Sequence, residues 1–417
     1  MSATDTAPAE VPAAPPATPP ATVAAQLGDP AAALAAATAL APALAGRAEA
    51  HDRAGTFPAA DFADLRGAGL LGLMVPARLG GPGAGFTDYV EVAMALAGGN
   101  GATALIYNMH ASVTGALAHT PDEVARALGV PESYFAMRDR ALRRAGDGAL
   151  FAVAMSERGA GSRLSKLTTS YEPAGDGFRI RGAKTFVSGA GYADVYLVAA
   201  RAAGVEPAKV SYFLVPNGPG ITIEPTWDSL GMRATGSDDL RLDLTVGAGA
   251  LLGGLEGLTL LLAQVMPQWL VASYAAVYVG VAQAAIDAAV AHLTGRGLQR
   301  LPAVRARVGR ADARVAAARL AVREAARRVD SAAGEPDTNR WVWRAKLLAG
   351  ETAMDVAASM LEAAGTSASR RGHPLERIYR DARCGSLQPA TSDVCADWLG
   401  LAALGLDPEN DAEVARW

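Results

Sequence analysis

The chain runs to 417 residues, 51% of them hydrophobic and 19% charged, enough apolar material for two or three layers or domains around a large core. A net charge of −4 supplies no overall field to draw nucleic acid or an anionic membrane. The two cysteines, Cys384 and Cys395, have no Cys/His cluster around them, which argues for two small core residues and against a disulfide scaffold or a metal site.

Residues 1–26 are Ala, Pro and Thr with little else. Asp5 and Glu10 stand where a signal peptide carries basic residues, and no apolar run follows, so a disordered tail and a cytoplasmic protein are expected. Residues 27–150 read as a helical domain. A turn at Gly55 to Pro58 opens a helix with Phe62 and Leu65 on its apolar face, and Pro76 with Gly80, Gly81, Gly83 and Gly85 makes a loop. A helix through Tyr89, Val92 and Leu96 follows, and then one from Ala102 to Leu117 that carries Asn108 and His110.

From residue 151 to 250 the period changes. FAVAMS, GFRIRG, ADVYLVAAR, VSYFLVP, GITIEP and RLDLTV are short β-rich runs divided by Gly, Pro and Asp. There is no room for βαβ crossovers, so a mainly antiparallel sheet is expected. Residues 251–417 return to long helices. The stretch Gly257 to Ile286 has no charged residue and is long enough to span a bilayer. It also holds Gln264, Pro267, Gln268 and Gln283 and lacks a flanking basic cluster, so a helix buried on most sides is expected and no membrane. Pro302 to Asp330 is Arg-rich over a stripe of Val and Ala, and reads as a solvated helix face, not a nucleic-acid surface.

Four phrases, in order, carry a resemblance. They are FPAADFADLRGAGLLGLMVPARLGG, SERGAGSR, WDSLGMRATGSDDLRLD and PLERIYRDAR. Together they resemble the acyl-CoA dehydrogenase family of flavoproteins over about residues 27–405. The resemblance implies an N-terminal all-α domain, a middle antiparallel β-domain, a C-terminal four-helix bundle, a homo-oligomer (dimer or tetramer), and bound FAD, with FMN possible. It places the flavin loop on Met155, Ser156, Gly161 and Ser162, where glycines let backbone N–H groups approach closely. It sets Phe186 and Ser188 against the flavin ring. Arg296 is the nearest counterpart of an Arg that reaches a neighbouring subunit's cofactor, although the family's Phe-Gly is missing after it. Glu362 and Gly365 stand where the family usually has Gln and Gly. Thr391 and Asp393 continue into positions that usually touch flavin, and Arg233, Ser237 and Asp238 lie on a turn near the substrate entry.

Relatives of this kind remove an α-proton with a Glu, because the C–H of a thioester is only weakly acidic. In this chain one of the two usual Glu positions is Pro389 and the other is Leu270 or Val271. None of these accepts a proton. His110 is the substitute base the resemblance offers, since the family's flavin monooxygenases use a His in this region. These residues are compatible with three functions. The first is oxidation of an acyl thioester, held on CoA or a carrier protein, or of a related carbonyl compound. It proceeds by hydride transfer to flavin N5, with a non-standard base or decarboxylation, and with a protein electron acceptor. The second is a flavin-dependent monooxygenase or oxidase using O2, which the missing Glu and the phrase GTSAS favour. The third is a non-catalytic scaffold.

Overall fold

The computed structural model describes residues 27–413; the N-terminal 1–26 tail lies outside them. Six helices come first: α1 (Pro30–Ala54), α2 (Ala59–Gly67), α3 (Phe86–Gly99), α4 (Gly101–His119), α5 (Asp122–Ala127) and α6 (Glu132–Gly146). α1 starts where Asp29 accepts the N–H of Ala32 at 2.8 Å, with Pro30 in the first turn, and stops at Gly55, whose φ of 64° favours glycine. α4 is capped by the Asn100 side chain and is buried on nearly every face, because it is sandwiched between the other helices and the sheet.

Seven strands follow: β1 (Phe151–Ala154), β2 (Ser170–Ala174), β3 (Gly177–Val187), β4 (Val195–Ala202), β5 (Val210–Pro216), β6 (Ile221–Glu224) and β7 (Asp238–Gly247). They form one sheet in the order β1-β4-β2-β3-β7-β6, with β5 on the other edge of β4. Four of its pairings are antiparallel, but β1 and β2 both run parallel to β4. The sheet is mixed, not simply antiparallel. A loop, residues 155–169, with a single 3-10 turn at Leu164–Lys166, suffices to lift the chain off β4 and return it to the same edge, so no α-helical crossover is needed. β4 and β5 are buried along almost their whole length, which is why both read as unbroken apolar runs.

The last part holds α7 (Leu258–Val265), α8 (Ala272–Gly295), α9 (Pro302–Ala332), α10 (Pro336–Ala364), α11 (Pro374–Arg383) and α12 (Ser392–Ala403). α8, α9 and α10 pack on one another, and α3 of the first region packs on α8 and α9. The close approach of α3 and α8 needs Gly280, where an added Cβ would lie 2.5 Å from the Met94 carbonyl oxygen. Two described segments are long and apolar enough to cross a membrane, Pro30–Ala54 and Pro267–Gly295; in the second, 83% of the apolar window is buried inside the protein, as a core helix requires. The arginines of α9 meet acids of this chain: Arg323 pairs with Glu91 at 2.6 Å and Arg314 with Asp355 at 3.1 Å. Both cysteines are free, Cys395 buried and Cys384 partly so.

α11 ties the three regions together. Arg380 bridges to Asp52 of α1 at 2.6 Å. The buried Asp381 accepts the N–H of Met232 at 2.6 Å, in the turn before β7.

Candidate active site

The loop 155–169 is built around a buried ion pair. Glu157 and Lys184 are almost fully enclosed and lie 2.7 Å apart. Glu157 also accepts the N–H and hydroxyl of Thr168, both at 2.7 Å, and the N–H of Thr169 at 3.0 Å. Burial alone would push its carboxyl up; the Lys184 charge and these donors hold it down to about 2. Lys184 also donates to the Met155 carbonyl at 3.2 Å, and Thr185 N–H donates to the Ser156 carbonyl at 2.9 Å. The loop is thus fastened to β3 at its start. Glu157 and Gly161 exchange two backbone hydrogen bonds at 3.0 and 2.8 Å. Gly159 and Gly161 have φ of 86° and 62°, and open space surrounds their Cβ directions, so glycine is needed for the turn and not for packing.

Next along β3 the register with β7 shifts between Lys184 and Val187. The bulge turns Phe186 outward: it has a φ of 59° and is 63% exposed. Trp227 supports it edge-on, with ring centroids 6.0 Å apart. Ser188 lies buried beside Ser237 at 2.9 Å, and Ser237 lies 2.7 Å from Thr235, which donates to the Met232 carbonyl. Since Thr235 spends its proton on that carbonyl, it accepts from Ser237, and Ser237 in turn accepts from Ser188. Ser188 is left with acceptor capacity only.

An apolar cleft opens between α4, α7, the turn before α8 and the sheet. Val113, Leu117, Leu197, Tyr212, Trp269 and Leu270 are among its walls, and none of the described residues lining it is charged. Trp269 is seated against Gly115, where an added Cβ would lie 2.2 Å from the indole. Tyr212 links the cleft wall to the loop, its hydroxyl donating to Met155 Sδ at 3.6 Å.

The expected residues separate into groups. Met155, Ser156, Gly161, Ser162, Phe186, Ser188 and Ser237 belong to this loop and the neighbouring bulge. Leu270 lines the cleft and Val271 is fully buried, so neither offers a base. Pro389 is partly buried, Thr391 caps α12, and Asp393 is exposed in its first turn. Arg296, Glu362 and Gly365 lie among the C-terminal helices. Arg296 donates to Ser367 at 2.6 Å and Glu362 pairs with Arg307 at 2.6 Å. Asp238 accepts the N–H groups of Thr226 and Trp227, both at 2.9 Å. Arg233 bonds Asp228 and the carbonyls of Ser229 and Asp52. Both therefore shape the turn between β6 and β7, Asp238 through Oδ1 and Arg233 through Nε and Nη1.

His110 also does something other than expected. It is 1% exposed, and Phe151 N–H donates to Nδ1 at 3.1 Å. Nε2 therefore carries the proton and donates to the Leu71 carbonyl at 2.7 Å. Burial pushes the ring down to about 4. With both nitrogens spent on backbone, the imidazole joins α4, β1 and the turn after α2, and it has no free lone pair for a substrate proton. Glu157, Lys184, Trp227, Tyr212 and Trp269 were not singled out by the sequence. Glu157 does lie in SERGAGSR, where a lone acid beside glycines was the available signal.

A flat aromatic group with a phosphate tail fits this surface. An exposed phenylalanine held at positive φ gives it a ring to lie on, the Gly159–Gly161 turn gives open backbone, and Ser188 gives an acceptor at the edge.

The chain matches the family described as "Acyl-CoA dehydrogenase, N-terminal domain" over residues 31–132, its "middle domain" over 152–244 and its "C-terminal domain" over 272–391. It is 33% identical over 386 residues to L-evernosamine nitrososynthase of a Micromonospora species, covering 87% of this chain and 88% of that one. It is 30% identical over 366 residues to the putative acyl-CoA dehydrogenase YdbM of Bacillus subtilis, covering 85% of this chain and 92% of that one. Among solved structures, KijD3 in complex with FMN and a dTDP-linked amino keto sugar superposes with a TM-score of 0.79 at 28% identity, over 94% of this chain and 98% of that one. The chain belongs to the acyl-CoA dehydrogenase family.

Proposed function

We propose that this protein is a flavin-dependent monooxygenase: one atom of O2 would be transferred to a small molecule in the cleft and the other would leave as water, and a flavin held by residues of the 155–188 surface would supply the redox chemistry. The electrons come from a pyridine nucleotide through a separate flavin reductase. The observation that carries this reading is the chemistry of the cleft. Leu270 and Val271 fill one position where relatives keep a carboxylate, Pro389 fills the other, and His110 is locked. Among the described residues at these positions none accepts the α-proton of a thioester, whereas an apolar, uncharged cleft suits oxygen chemistry, which must keep water away.

Bound flavin supplies the electrons and the site at which O2 reacts. Met155, Ser156, Gly161 and Ser162 would hold its polar edge and tail, and Phe186 would lie against the ring. Ser188, limited to accepting, suits the N–H that a reduced flavin carries. Thr391 would close the far side. FMN is favoured over FAD. Glu362, paired with Arg307, sets a carboxylate where relatives keep a neutral amide, and the Phe-Gly that follows the family's Arg is missing after Arg296. The protein would work as a homo-oligomer, as the resemblance implies.

The test has two arms. With flavin reductase, pyridine nucleotide and 18O2, candidate small molecules should gain one labelled oxygen. Under anaerobic conditions, acyl-CoA thioesters should leave oxidised flavin unbleached. Bleaching by a thioester, or peroxide as the sole product with every candidate, would overturn the proposal. Release and chromatography of the bound flavin decides between FMN and FAD.

A further inference from the structure

The cleft also constrains what enters it, an inference that rests on the reading above but concerns binding alone. We infer that the cleft takes an uncharged, mainly apolar small molecule bearing one hydrogen-bond acceptor, and that the Tyr212 hydroxyl anchors that acceptor.

Three observations carry this. First, the cleft draws its walls from helices and sheet alike, yet none of the described residues lining it is charged. An ionised carboxylate or phosphate buried there would lose its water and gain no counter-charge. Second, two of the hydroxyls on the walls are already engaged. Ser112 Oγ lies 3.3 Å from Ser273 Oγ, and Thr120 donates to the Ala116 carbonyl at 2.8 Å. Third, Tyr212 is 8% exposed and, among the described residues, its hydroxyl is bonded to a thioether, Met155 Sδ at 3.6 Å, which is a weak acceptor. A carbonyl or ring heteroatom would displace that contact with a gain. Burial raises the Tyr212 phenol well above its ordinary value, so it stays a donor across the working pH range. Met155 begins the 155–169 loop, so an acceptor held by Tyr212 is brought to the flavin side of the cleft.

The experiment uses flavin-free full-length protein and three ligands of one shape: 2-acetylnaphthalene, 2-ethylnaphthalene and 2-naphthoate. Calorimetry or equilibrium dialysis should rank them in that order. The ketone should bind about fivefold more tightly than the hydrocarbon, the size of one net neutral hydrogen bond, and the carboxylate should not bind at the same concentrations. Tyr212→Phe should erase the difference between ketone and hydrocarbon while melting normally. Tyr379→Phe, exposed on α11 and not among the residues lining the cleft, should keep it. The inference falls if the carboxylate binds as well as the ketone, if Y212F keeps the ketone preference, or if none of the three binds. Because no flavin or O2 is involved, intact binding with failed oxygenation would sink only the monooxygenase reading.

Discussion

Replacing Glu157 with Gln tests whether the 155–169 loop is held by charge or by shape. The side chain is nearly isosteric, so packing is kept. Lys184, fully enclosed, is left without its counter-ion, and the single accepting oxygen of an amide can serve the Thr168 N–H and hydroxyl, which share Oε2, or the Thr169 N–H and Lys184, which share Oε1, but not both sets. The depression of Glu157 from 4.5 to about 2 corresponds to about 3 kcal/mol, and removing one partner of a buried pair costs about 3–5 kcal/mol. E157Q should therefore lose about 3–5 kcal/mol against urea at pH 7. The double variant E157Q/K184M should regain part of that loss, because no buried ammonium remains unpaired. The acid side gives a second readout. A carboxyl with a depressed folded value contributes fully above its unfolded value of 4.5 and loses that contribution as pH falls through about 2. The gap between wild type and E157Q should thus narrow steadily below pH 4.5. Circular dichroism during unfolding measures all three proteins. A double variant no more stable than E157Q, or a gap that does not narrow in acid, would refute the argument that charge holds the loop.

His110, pushed down to about 4, stays neutral in the fold while the unfolded chain takes a proton near 6.5. Stability should therefore fall as pH drops from 6.5 to 4, by up to about 3 kcal/mol more in wild type than in His110→Gln; equal slopes for the two proteins in urea unfolding would contradict this. Gly115→Ala should force the Trp269 indole into the cleft, costing about 1–3 kcal/mol of stability and weakening ligand binding by calorimetry; an unchanged melting temperature with unchanged binding would show that the ring has room to move. Asp238→Ala frees the Thr226 and Trp227 N–H groups and slackens the support of Phe186. It should weaken flavin binding by roughly tenfold, about 1.4 kcal/mol, whereas Asp238→Asn, which still accepts, should weaken it less. Equal losses in the two variants, read by fluorescence titration of added flavin, would count against the turn-holding role.

Much of the fold is legible in the sequence because its signals are local. α9 declares itself by its apolar stripe under the arginines, and β4 and β5 by unbroken apolar runs. β2 escapes notice: Tyr171 is its only buried residue and Pro173 sits within it, so it has neither alternation nor a clean β composition. The parallel pairing of β1 and β2 with β4 is likewise invisible, since pairing direction depends on how loops return and not on strand composition. At the site, Phe186 and Ser188 stand together in one phrase, and SERGAGSR marks its own turn. The Glu157–Lys184 pair joins two phrases that become neighbours only when β1 and β3 share a sheet. His110 misleads for a related reason. Its partners are the Leu71 carbonyl and the Phe151 N–H, and backbone groups brought in from distant turns leave no mark in a sequence. Tyr212 and Trp269 come from a strand and a turn that meet across the cleft, so each alone reads as an ordinary core aromatic.

The return of the 155–169 loop to the edge it left has a consequence for how this fold can change. β1 ends with Ala154 opposite Val198, and β2 begins with Ser170 opposite Arg201. The two stems are therefore anchored roughly 10 Å apart on a single strand, at about 3.3 Å per residue. The sheet fixes that gap whatever spans it, and doubling the length of a flexible connection costs only about 0.6 kcal/mol. The exposed turn around Arg158 and Gly159 can thus be lengthened with little effect on the strands beneath it, provided that Glu157 still pairs with Lys184 and that Leu164 and Leu167 keep their places in the core.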